Sequence, residues 1–388
     1  MIICDKCGIS SHPFNLSFHK HDGRFLCSAC DLHNYKNDKK FWTEREKQLI
    51  NLLNDKKGKR YDAVVPVRGD AEDYYVVEKL ISYKLNILVV FVNNFFLNDI
   101  GWRNFHNLIT YFDCDSVTYS PNLHTYKELV VTSLRKFKNI YLPYKMILHQ
   151  YVMSLAKEKD IPFVIFGQCQ PQEFAGKFSY RDNLRLSNWW VTEHEYNNIL
   201  YDEFIGTGLH LDKTKWDLIK YPNKSYLKKV NGIFLSNYLP WDQASQNIQS
   251  IQHDFCPQQQ RNTFDYFENA GSSVYYEFHD LLRRLNFQPK VHDHILREIR
   301  FNRLDKKTGM HILKNMDQYL AYNIKPFFKN FLQTTDSGYR WFVKNRLMDV
   351  KHLIREESPK KVNQIGTRLM YEDSKISQDE FVKYTKGI

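Results

Sequence analysis

The chain has 388 residues, of which 43% are hydrophobic, 26% charged and 15% aromatic, and its formal net charge is +11. These values exclude disordered, collagen-like and low-complexity classes, and the length suits two or three domains. The excess of basic residues favours an anionic partner, such as a nucleotide, a sugar nucleotide, a nucleic acid or a membrane surface, although an ordinary basic surface would give the same charge.

The chain shows no pattern of a secreted or membrane-spanning protein. Its first residues lack the charged and apolar regions of a secretory signal, and its longest apolar run covers only residues 87–92. A bilayer-spanning helix needs about 20 apolar residues. We therefore expect a soluble, cytoplasmic protein without a membrane span.

Two cysteine pairs lie near the N-terminus. Cys4 and Cys7 form the first pair, and Cys27 and Cys30 follow after an intervening segment of nineteen residues. Two residues between cysteines allow both thiolates to bind one ion, and a hairpin can bring the second pair back to complete a tetrahedron. The spacing predicts a closed, structural zinc site in a ribbon over residues 1–40, with coincidental thiol pairs or a redox dithiol as the alternatives.

An alternation of helices and short apolar strands follows the cysteines. The apolar runs predict strands at residues 61–67, 86–93, 116–120, 162–166 and 232–236, and helical periods predict helices at 41–54, 71–83, 102–112, 126–136, 145–157 and 192–204. This alternation predicts an α/β domain over residues 41–245 with a doubly wound, mostly parallel five-stranded sheet, whose ligands bind at the carboxyl ends of the strands. Residues 246–388 contain no convincing strand and predict a helical C-terminal region.

The loop after the first strand of this domain has the ingredients of an anion site. Gly69 permits a tight turn before a helix, and Arg68 can pair with a phosphate. The acidic residues Asp70, Glu72 and Asp73 would repel a bare phosphate, but they could hold Mg²⁺ that bridges phosphates. A purely structural role, as caps of the following helix, is the alternative.

Several ordered segments together resemble the N-acetyl sugar amidotransferase family, a group within the PP-loop ATP pyrophosphatase superfamily. The family opens with two CxxC pairs and a strand that begins with Tyr-Asp, as residues 61–67 do here. Its later motifs are similar to GQCQPQEFAG at residues 167–176, NYLPWD at 237–242 and HDLLRRLNF at 279–287, followed by Asp293-His294 and IRFNR at 299–303. The resemblance runs from about residue 4 to about residue 320.

The resemblance implies a PP-loop (HUP-type) fold and an ATP-dependent reaction. Family members use ATP to adenylate an oxygen on a substituent of an N-acetylated, nucleotide-linked sugar in surface glycan or lipopolysaccharide biosynthesis. Ammonia from a separate glutaminase subunit then displaces AMP. The implied cofactors are ATP and Mg²⁺ beside the structural Zn²⁺, and the implied partners are a sugar or sugar-nucleotide substrate and the glutaminase.

Site residues are expected in three groups. The catalytic candidates are Asp73 and Glu173, the latter because it follows the fourth strand at its carboxyl end. The nucleotide-binding candidates are Arg68, Gly69, Asp70, Glu72, Asn93 and Gly167. The substrate-binding candidates are Lys145, His149, His279, Asp280, Asp293, His294, Arg300 and Arg303, which include arginines suited to a diphosphate or a carboxylate.

The chain departs from the family at the loop that defines it. The family's SGGxDS becomes Arg68-Gly69-Asp70-Ala71-Glu72-Asp73, which keeps only the first glycine. Three hypotheses follow. The first is the ATP-dependent sugar amidotransferase. The second is an inactive or ATP-independent relative that binds a sugar nucleotide as a scaffold. The third, an RNA-modifying PP-loop enzyme suggested by the basic charge, the ribbon and Cys169, ranks last, and nucleic acid is therefore the least favoured partner.

Overall fold

The computed structural model describes residues 2–10, 16–55, 57–205, 216–258, 263–285, 289–316, 322–354, 362–365 and 368–371. At the N-terminus, strands β1 (Phe18–His21) and β2 (Arg24–Cys27) pair antiparallel, and helix α1 (Ser28–Leu32) follows directly. Asp22 and Gly23, with φ of 47° and 78°, form the turn between the strands. This hairpin returns the second cysteine pair to the first, as the spacing predicts, and it fits a zinc ribbon.

A five-stranded parallel sheet forms the centre of the molecule. Its strands are β3 (Ala63–Val67), β4 (Ile87–Val92), β5 (Ser116–Tyr119), β6 (Phe163–Phe166) and β7 (Asn231–Phe234). Their order is β5-β4-β3-β6-β7, and every neighbouring pair is parallel. The order reverses between β3 and β6, which is where ligands of open α/β sheets bind. The predicted doubly wound, parallel five-stranded α/β fold is confirmed.

Helices cover both faces of the sheet. They are α2 (Lys39–Asn54), α3 (Ala71–Ser82), α4 (Asp99–Tyr111), α5 (Leu123–Phe137), α6 (Leu142–Glu158) and α7 (Gln170–Ala175). Successive strand residues point to opposite faces, so Val64 packs in the core with α5 and α6, and Val65 packs in the core with α2, α3 and α4. Because both faces of the central strands β3 and β4 are buried, these strands are apolar and do not alternate. The edge strand β5 is different, since it carries Ser116 and Thr118 and is partly exposed.

The helix predicted over residues 192–204 is wrong in its extent. The structure has a short helix α8 (Asn188–Trp190), a π-helical turn (Val191–Glu195) and a second short helix α9 (Asp202–Ile205). Asn197 and Asn198 lie between them with φ of 52° and 60°. This left-handed backbone interrupts a helix, and asparagine adopts it more readily than most residues do.

The C-terminal region is mainly helical, as predicted. It contains α10 (Gln243–Gln252), α11 (Ser273–Arg284), α12 (Lys290–Arg300), α13 (Lys306–Met316) and α14 (Asp336–Arg346). One difference is the antiparallel pair of β8 (Val362–Ile365) and β9 (Arg368–Tyr371), whose four-residue strands are too short for their periodicity to be detected. No helix in the described part of the chain combines the length and the apolar character needed to cross a bilayer.

Candidate functional site

The loop between β3 and α3 binds a carboxylate of its own chain. Asp73 Oδ2 accepts hydrogen bonds from the backbone N–H of Arg68 at 2.7 Å and of Asp70 at 2.9 Å. Gly69, with φ of 81°, makes the turn that points these donors inward. A Cβ at this glycine would lie 2.9 Å from the carbonyl oxygen of Gly101. The backbone donors that this loop could offer to an anion are therefore occupied by the carboxylate of Asp73.

The crevice between β3 and β6 contains a second acidic side chain. Glu72 Oε1 accepts a hydrogen bond from the backbone N–H of Gln168, at 2.7 Å. Gly167 is needed here, because a Cβ at this position would lie 2.1 Å from the same oxygen. The side chain of Glu72 thus joins the loop after β3 to the loop after β6 across the point where the strand order reverses.

Burial raises the pKa of the acids in this loop. The pKa of Asp70 rises to about 7, although its ion pair with Arg68, at 3.0 Å, acts in the opposite direction. The pKa of Glu72 also rises to about 7, and burial raises that of Asp73. Among the described residues, the acids of this loop do not belong to any His, Cys, Asp or Glu group close enough to share a metal ion.

A pocket of about 310 Å³, which we call the charged pocket, adjoins this loop. Arg68, directly after β3, and Gln170, shortly after β6, both line it, so it lies at the carboxyl edge of the sheet. Three basic side chains in its wall each pair with an acidic one, namely Lys145–Glu195, Lys290–Glu268 and Arg283–Asp293. Arg68 Nη1 in addition donates to the hydroxyl of Tyr141 at 2.8 Å. The wall of the pocket thus presents hydrogen-bond donors and acceptors, and the ion pairs hold them in fixed positions.

His279 lines the same pocket as a neutral imidazole. Its pKa falls to about 3, chiefly because it is buried and also because Lys290 and Arg283 are close. A neutral imidazole both donates and accepts one hydrogen bond.

Of the residues predicted from sequence, the structure brings four to the charged pocket, namely Arg68, Lys145, His279 and Asp293.

Two predicted residues at the sheet edge have partners outside the pocket. Asn93 Nδ2 donates to Ser120 Oγ at 3.1 Å, which joins the ends of β4 and β5. His149 Nδ1 lies 3.0 Å from the hydroxyl of Tyr196, and burial lowers its pKa to about 4. Both side chains are almost fully buried, and neither lines the charged pocket.

Asp280 and His294 join elements of the C-terminal region. Asp280 accepts from the backbone N–H of Lys290 at 2.6 Å and from Arg284 Nε at 3.2 Å, so it connects α11 to the start of α12. His294 lies between Thr263 Oγ1, at 2.7 Å from its Nδ1, and a carboxylate oxygen of Glu268, at 2.6 Å from its Nε2. Both side chains are completely buried.

The predicted arginines lie apart from each other. Arg303 donates from Nη1 and Nη2 to the two carboxylate oxygens of Asp242, both at 3.0 Å. Arg300 is buried on the helix whose apolar residues pack with the cysteines of the ribbon. Neither arginine lines the charged pocket.

Glu173 forms a buried ion pair with the ribbon. Lys36 Nζ lies 2.8 Å from Glu173 Oε2, and the two side chains are only 4% and 8% exposed. The hydroxyl of Tyr180 donates to Glu173 Oε1 at 2.8 Å. Nearby, Ser28 Oγ donates to the carbonyl of Ala175 at 2.5 Å. These contacts attach the ribbon to α7.

The four cysteines form a cluster that could hold a metal ion. Their sulfur atoms all lie within 4.8 Å of one another, and all four residues are buried. The Sγ atoms of Cys7 and Cys27 are 3.8 Å apart, and tetrahedral Zn–S bonds of about 2.3 Å would place sulfurs about 3.8 Å apart. The donor set and its spacing therefore fit zinc, with no coordination position left for a substrate.

Several residues of the charged pocket were not predicted as site residues from the sequence. They are Lys138, Glu195, Glu268, Arg283 and Lys290. Residues 281–310 contain eight Lys or Arg against three Asp or Glu. This excess of basic residues is the sequence feature that could have indicated Arg283 and Lys290 as site residues. The two glutamates belong to no motif, and only the folded chain brings them to the pocket.

Comparisons with known proteins give similarity to solved structures only. No protein-family model matches the chain, and no curated protein is significantly similar to it. The NMN synthetase from Francisella tularensis aligns at TM-score 0.29 and 14% identity over 73% of this chain and 98% of that one. The NH3-dependent NAD synthetase from Campylobacter jejuni subsp. jejuni, in complex with the nitrate ion, aligns at TM-score 0.28 and 10% identity, over 56% and 98%. Similarity at this level carries no information on the activity of this chain.

Proposed function

We propose that this chain binds a nucleotide-linked sugar in the charged pocket and does so without using ATP. The observation that carries the proposal is the position of Asp73, whose carboxylate accepts the backbone hydrogen bonds of the loop after β3. An ATP phosphate would have to displace this carboxylate. Two like charges about 4 Å apart repel by about 1 kcal/mol in water and by several times more when desolvated.

The charged pocket supports the sugar-nucleotide part of the proposal. Its volume of about 310 Å³ is at the lower end of the range for small-molecule sites, roughly 300–1,000 Å³. Carboxylates such as Glu195 and Asp293 can accept hydrogen bonds from sugar hydroxyls. Arg68 and the exposed Lys138 can pair with a diphosphate. The identity of the sugar as N-acetylated rests on the family resemblance.

The first prediction tests binding in the charged pocket. We expect UDP-N-acetylglucosamine to bind to the metal-loaded chain in a calorimetric titration. The Lys145→Gln variant should bind at least about tenfold more weakly, because one charge-assisted contact is lost. Lys136→Gln is the matched control, since Lys136 pairs with Glu203 and does not line the pocket. Absence of binding by both UDP-N-acetylglucosamine and UDP, or equal affinity of the two variants, would contradict the proposal.

A second candidate is the ATP-dependent sugar amidotransferase that the resemblance implies. It is favoured by the pKa values of Asp70 and Glu72, which burial raises to about 7. Near neutral pH these carboxyls are partly protonated and repel a phosphate less. In this candidate the loop would open to hold ATP and Mg²⁺, with Asn93 and Gly167 at the nucleotide, Asp73 and Glu173 in catalysis, and a glutaminase supplying ammonia.

The second prediction separates the two candidates. Wild-type chain should give no heat of binding with Mg-ATP up to about 1 mM, whereas Asp73→Ser should bind it, because removal of the carboxylate frees the N–H groups of Arg68 and Asp70. Asp99→Ser, at the start of α4 and outside the loop, is the control for loss of one negative charge. The opposite outcome is micromolar binding of Mg-ATP by the wild type, with AMP formed when ammonia and UDP-N-acetylglucosamine are present. That result would contradict the first candidate function and support the second.

We also propose that the ion in the cysteine cluster is zinc and that its role is structural. Four thiolates are the typical donor set of structural zinc sites. When bound, the ion would join the two halves of the ribbon. The chemistry of the charged pocket is separate from it, because none of the four cysteines lines that pocket.

A further inference from the structure

We propose that a groove between α5 and α14, which we call the apolar groove, docks this chain on the surface of an anionic phospholipid membrane. An acyl chain of such a lipid occupies the groove, and the basic residues around it contact the phosphate headgroups. The inference does not depend on the proposed function. It gives a partner to part of the excess positive charge that the sequence shows.

The apolar groove has a volume of about 380 Å³ and a mostly apolar lining. It lies between α5, the π-helical turn Phe327–Phe331 and α14. The apolar side chains in its wall are Val131, Leu134, Phe328, Leu332, Trp341 and Phe342. No acidic residue in the described part of the chain lines it. Walls of this kind fit a hydrocarbon chain, because the transfer of apolar surface out of water is favourable.

Trp341 is an exposed aromatic residue in the wall of the apolar groove. It is 45% exposed, and the guanidinium carbon of Arg346 lies 5.9 Å from the centre of its ring. Arg346 Nη2 also donates to the backbone carbonyl of Arg135 on α5. These contacts join α14 to α5 beside the exposed ring. Tryptophan is enriched at membrane–water interfaces, because its ring is apolar and its N–H is polar.

Basic residues surround the apolar groove. Residues 127–138 and 336–346, which include its two helical walls, contain seven Lys or Arg against two Asp or Glu. Arg135 lines the groove, and Arg340 and Lys344 are exposed on the same helix as Trp341. Clusters of about four to eight Lys or Arg beside an apolar helical surface are typical of binding to anionic lipids. The surface therefore combines an apolar contact with a charge complementary to phosphate headgroups.

The charge and the lining disfavour two other occupants of the groove. A symmetric contact with a second copy would bring two basic surfaces together, and like charges repel. A single-stranded nucleic acid would match the charge, but such sites stack bases on several exposed aromatic rings. Among the described lining residues only Trp341 offers such a ring, since Phe328 and Phe342 are each 3% exposed.

The test is cosedimentation of the full-length, metal-loaded chain with phospholipid vesicles. We expect binding to vesicles of phosphatidylcholine and phosphatidylglycerol, weakened by added salt, and much weaker binding to phosphatidylcholine alone. Trp341→Ser should bind at least about tenfold more weakly, because a large apolar side chain no longer enters the bilayer. Arg135→Gln should bind about fivefold more weakly, because one basic residue near the lipid surface is lost.

Two matched controls lie outside the apolar groove. Trp189→Ser removes a tryptophan that is 60% exposed and does not line the groove. Lys59→Gln removes a positive charge from a side chain that is 86% exposed and pairs with Asp160. Both variants should bind the anionic vesicles as the wild type does. Equal binding by the wild type, Trp341→Ser and Arg135→Gln would overturn the proposal.

Fluorescence separates insertion of Trp341 from a change in folding. Phospholipids with brominated acyl chains quench tryptophans that enter the bilayer, so vesicles of these lipids should quench the wild type and Trp189→Phe more than Trp341→Phe. Equal quenching of all three proteins would contradict insertion at the groove. Binding of single-stranded RNA without any binding of vesicles would also overturn the proposal. A dimer that Trp341→Ser dissociates would assign the groove to a second copy instead.

Discussion

Removal of the metal from the cysteine cluster should lower the thermal stability of the chain more than any single substitution proposed above. Apparent binding free energies of structural zinc are about 10–16 kcal/mol in small peptides, and this energy is folding energy. If even about 5 kcal/mol is lost here, Tm should fall by roughly 6 °C, since the entropy of unfolding grows with the length of the chain. Without the ion, the first cysteine pair is held against the second by packing and by a few hydrogen bonds, such as those between Asp5 and Phe25. The measurement is thermal unfolding before and after a zinc chelator, followed by restoration with added zinc.

Cysteine substitutions provide the controls for this prediction. Cys27→Ser should reproduce the effect of the chelator, because it removes one of the four buried sulfurs. Cys114→Ser and Cys256→Ser should behave as wild type, since both residues are partly exposed and lie outside the cluster. An unchanged Tm after complete metal removal would refute the structural role.

The second large effect is expected for Glu173→Ala. This substitution leaves the ammonium of Lys36 buried without its carboxylate partner, since the Lys36 side chain is only 4% exposed. Breaking one partner of a buried ion pair costs about 3–5 kcal/mol. We therefore expect the free energy of unfolding, measured in urea, to fall by this amount.

Two control variants show whether the loss of stability of Glu173→Ala comes from the buried charge. The double variant Lys36→Met/Glu173→Leu should be much less destabilised than Glu173→Ala, because it leaves no unpaired charge. Lys59→Ala breaks an exposed pair with Asp160, in which the two side chains are 86% and 62% exposed, and should change stability by less than about 1 kcal/mol. If Glu173→Ala is as stable as wild type but abolishes AMP formation, Glu173 belongs to catalysis as the sequence suggested.

The fold was largely predictable because its signals are local. The central strands are short apolar runs between polar segments, as in Ile87–Val92, and burial on both faces explains why they show no alternation. The ribbon could be predicted from the cysteine spacing alone, since two CxxC pairs joined by a hairpin permit few arrangements of the chain. The interrupted segment after α8 was missed because the left-handed conformation of Asn197 and Asn198 produces no periodic signal.

The candidate site was predictable only in part, because burial and pairing depend on contacts distant in sequence. The sequence shows the acidic residues Asp70, Glu72 and Asp73. It does not show that Asp73 accepts the backbone hydrogen bonds of the loop, or that Glu72 lies in the crevice between β3 and β6. The spacing of Arg297, Arg300 and Arg303 indicated one helix face. In the folded chain their surroundings differ. Arg297 contacts Asp265 and Arg303 contacts Asp242, whereas Arg300 is buried on α12, the helix that packs on the cysteine cluster.

The packing of α12 on the cysteine cluster has a consequence for biosynthesis. At about 5–20 residues per second, a ribosome needs on the order of 15–50 s to extend the chain from Cys30 to Arg300. During that interval all four cysteines have been synthesised, but the apolar residues of α12 that cover them have not. The nascent thiols would therefore be open to oxidation and to competing ions, and capture of zinc during translation would protect them until α12 arrives.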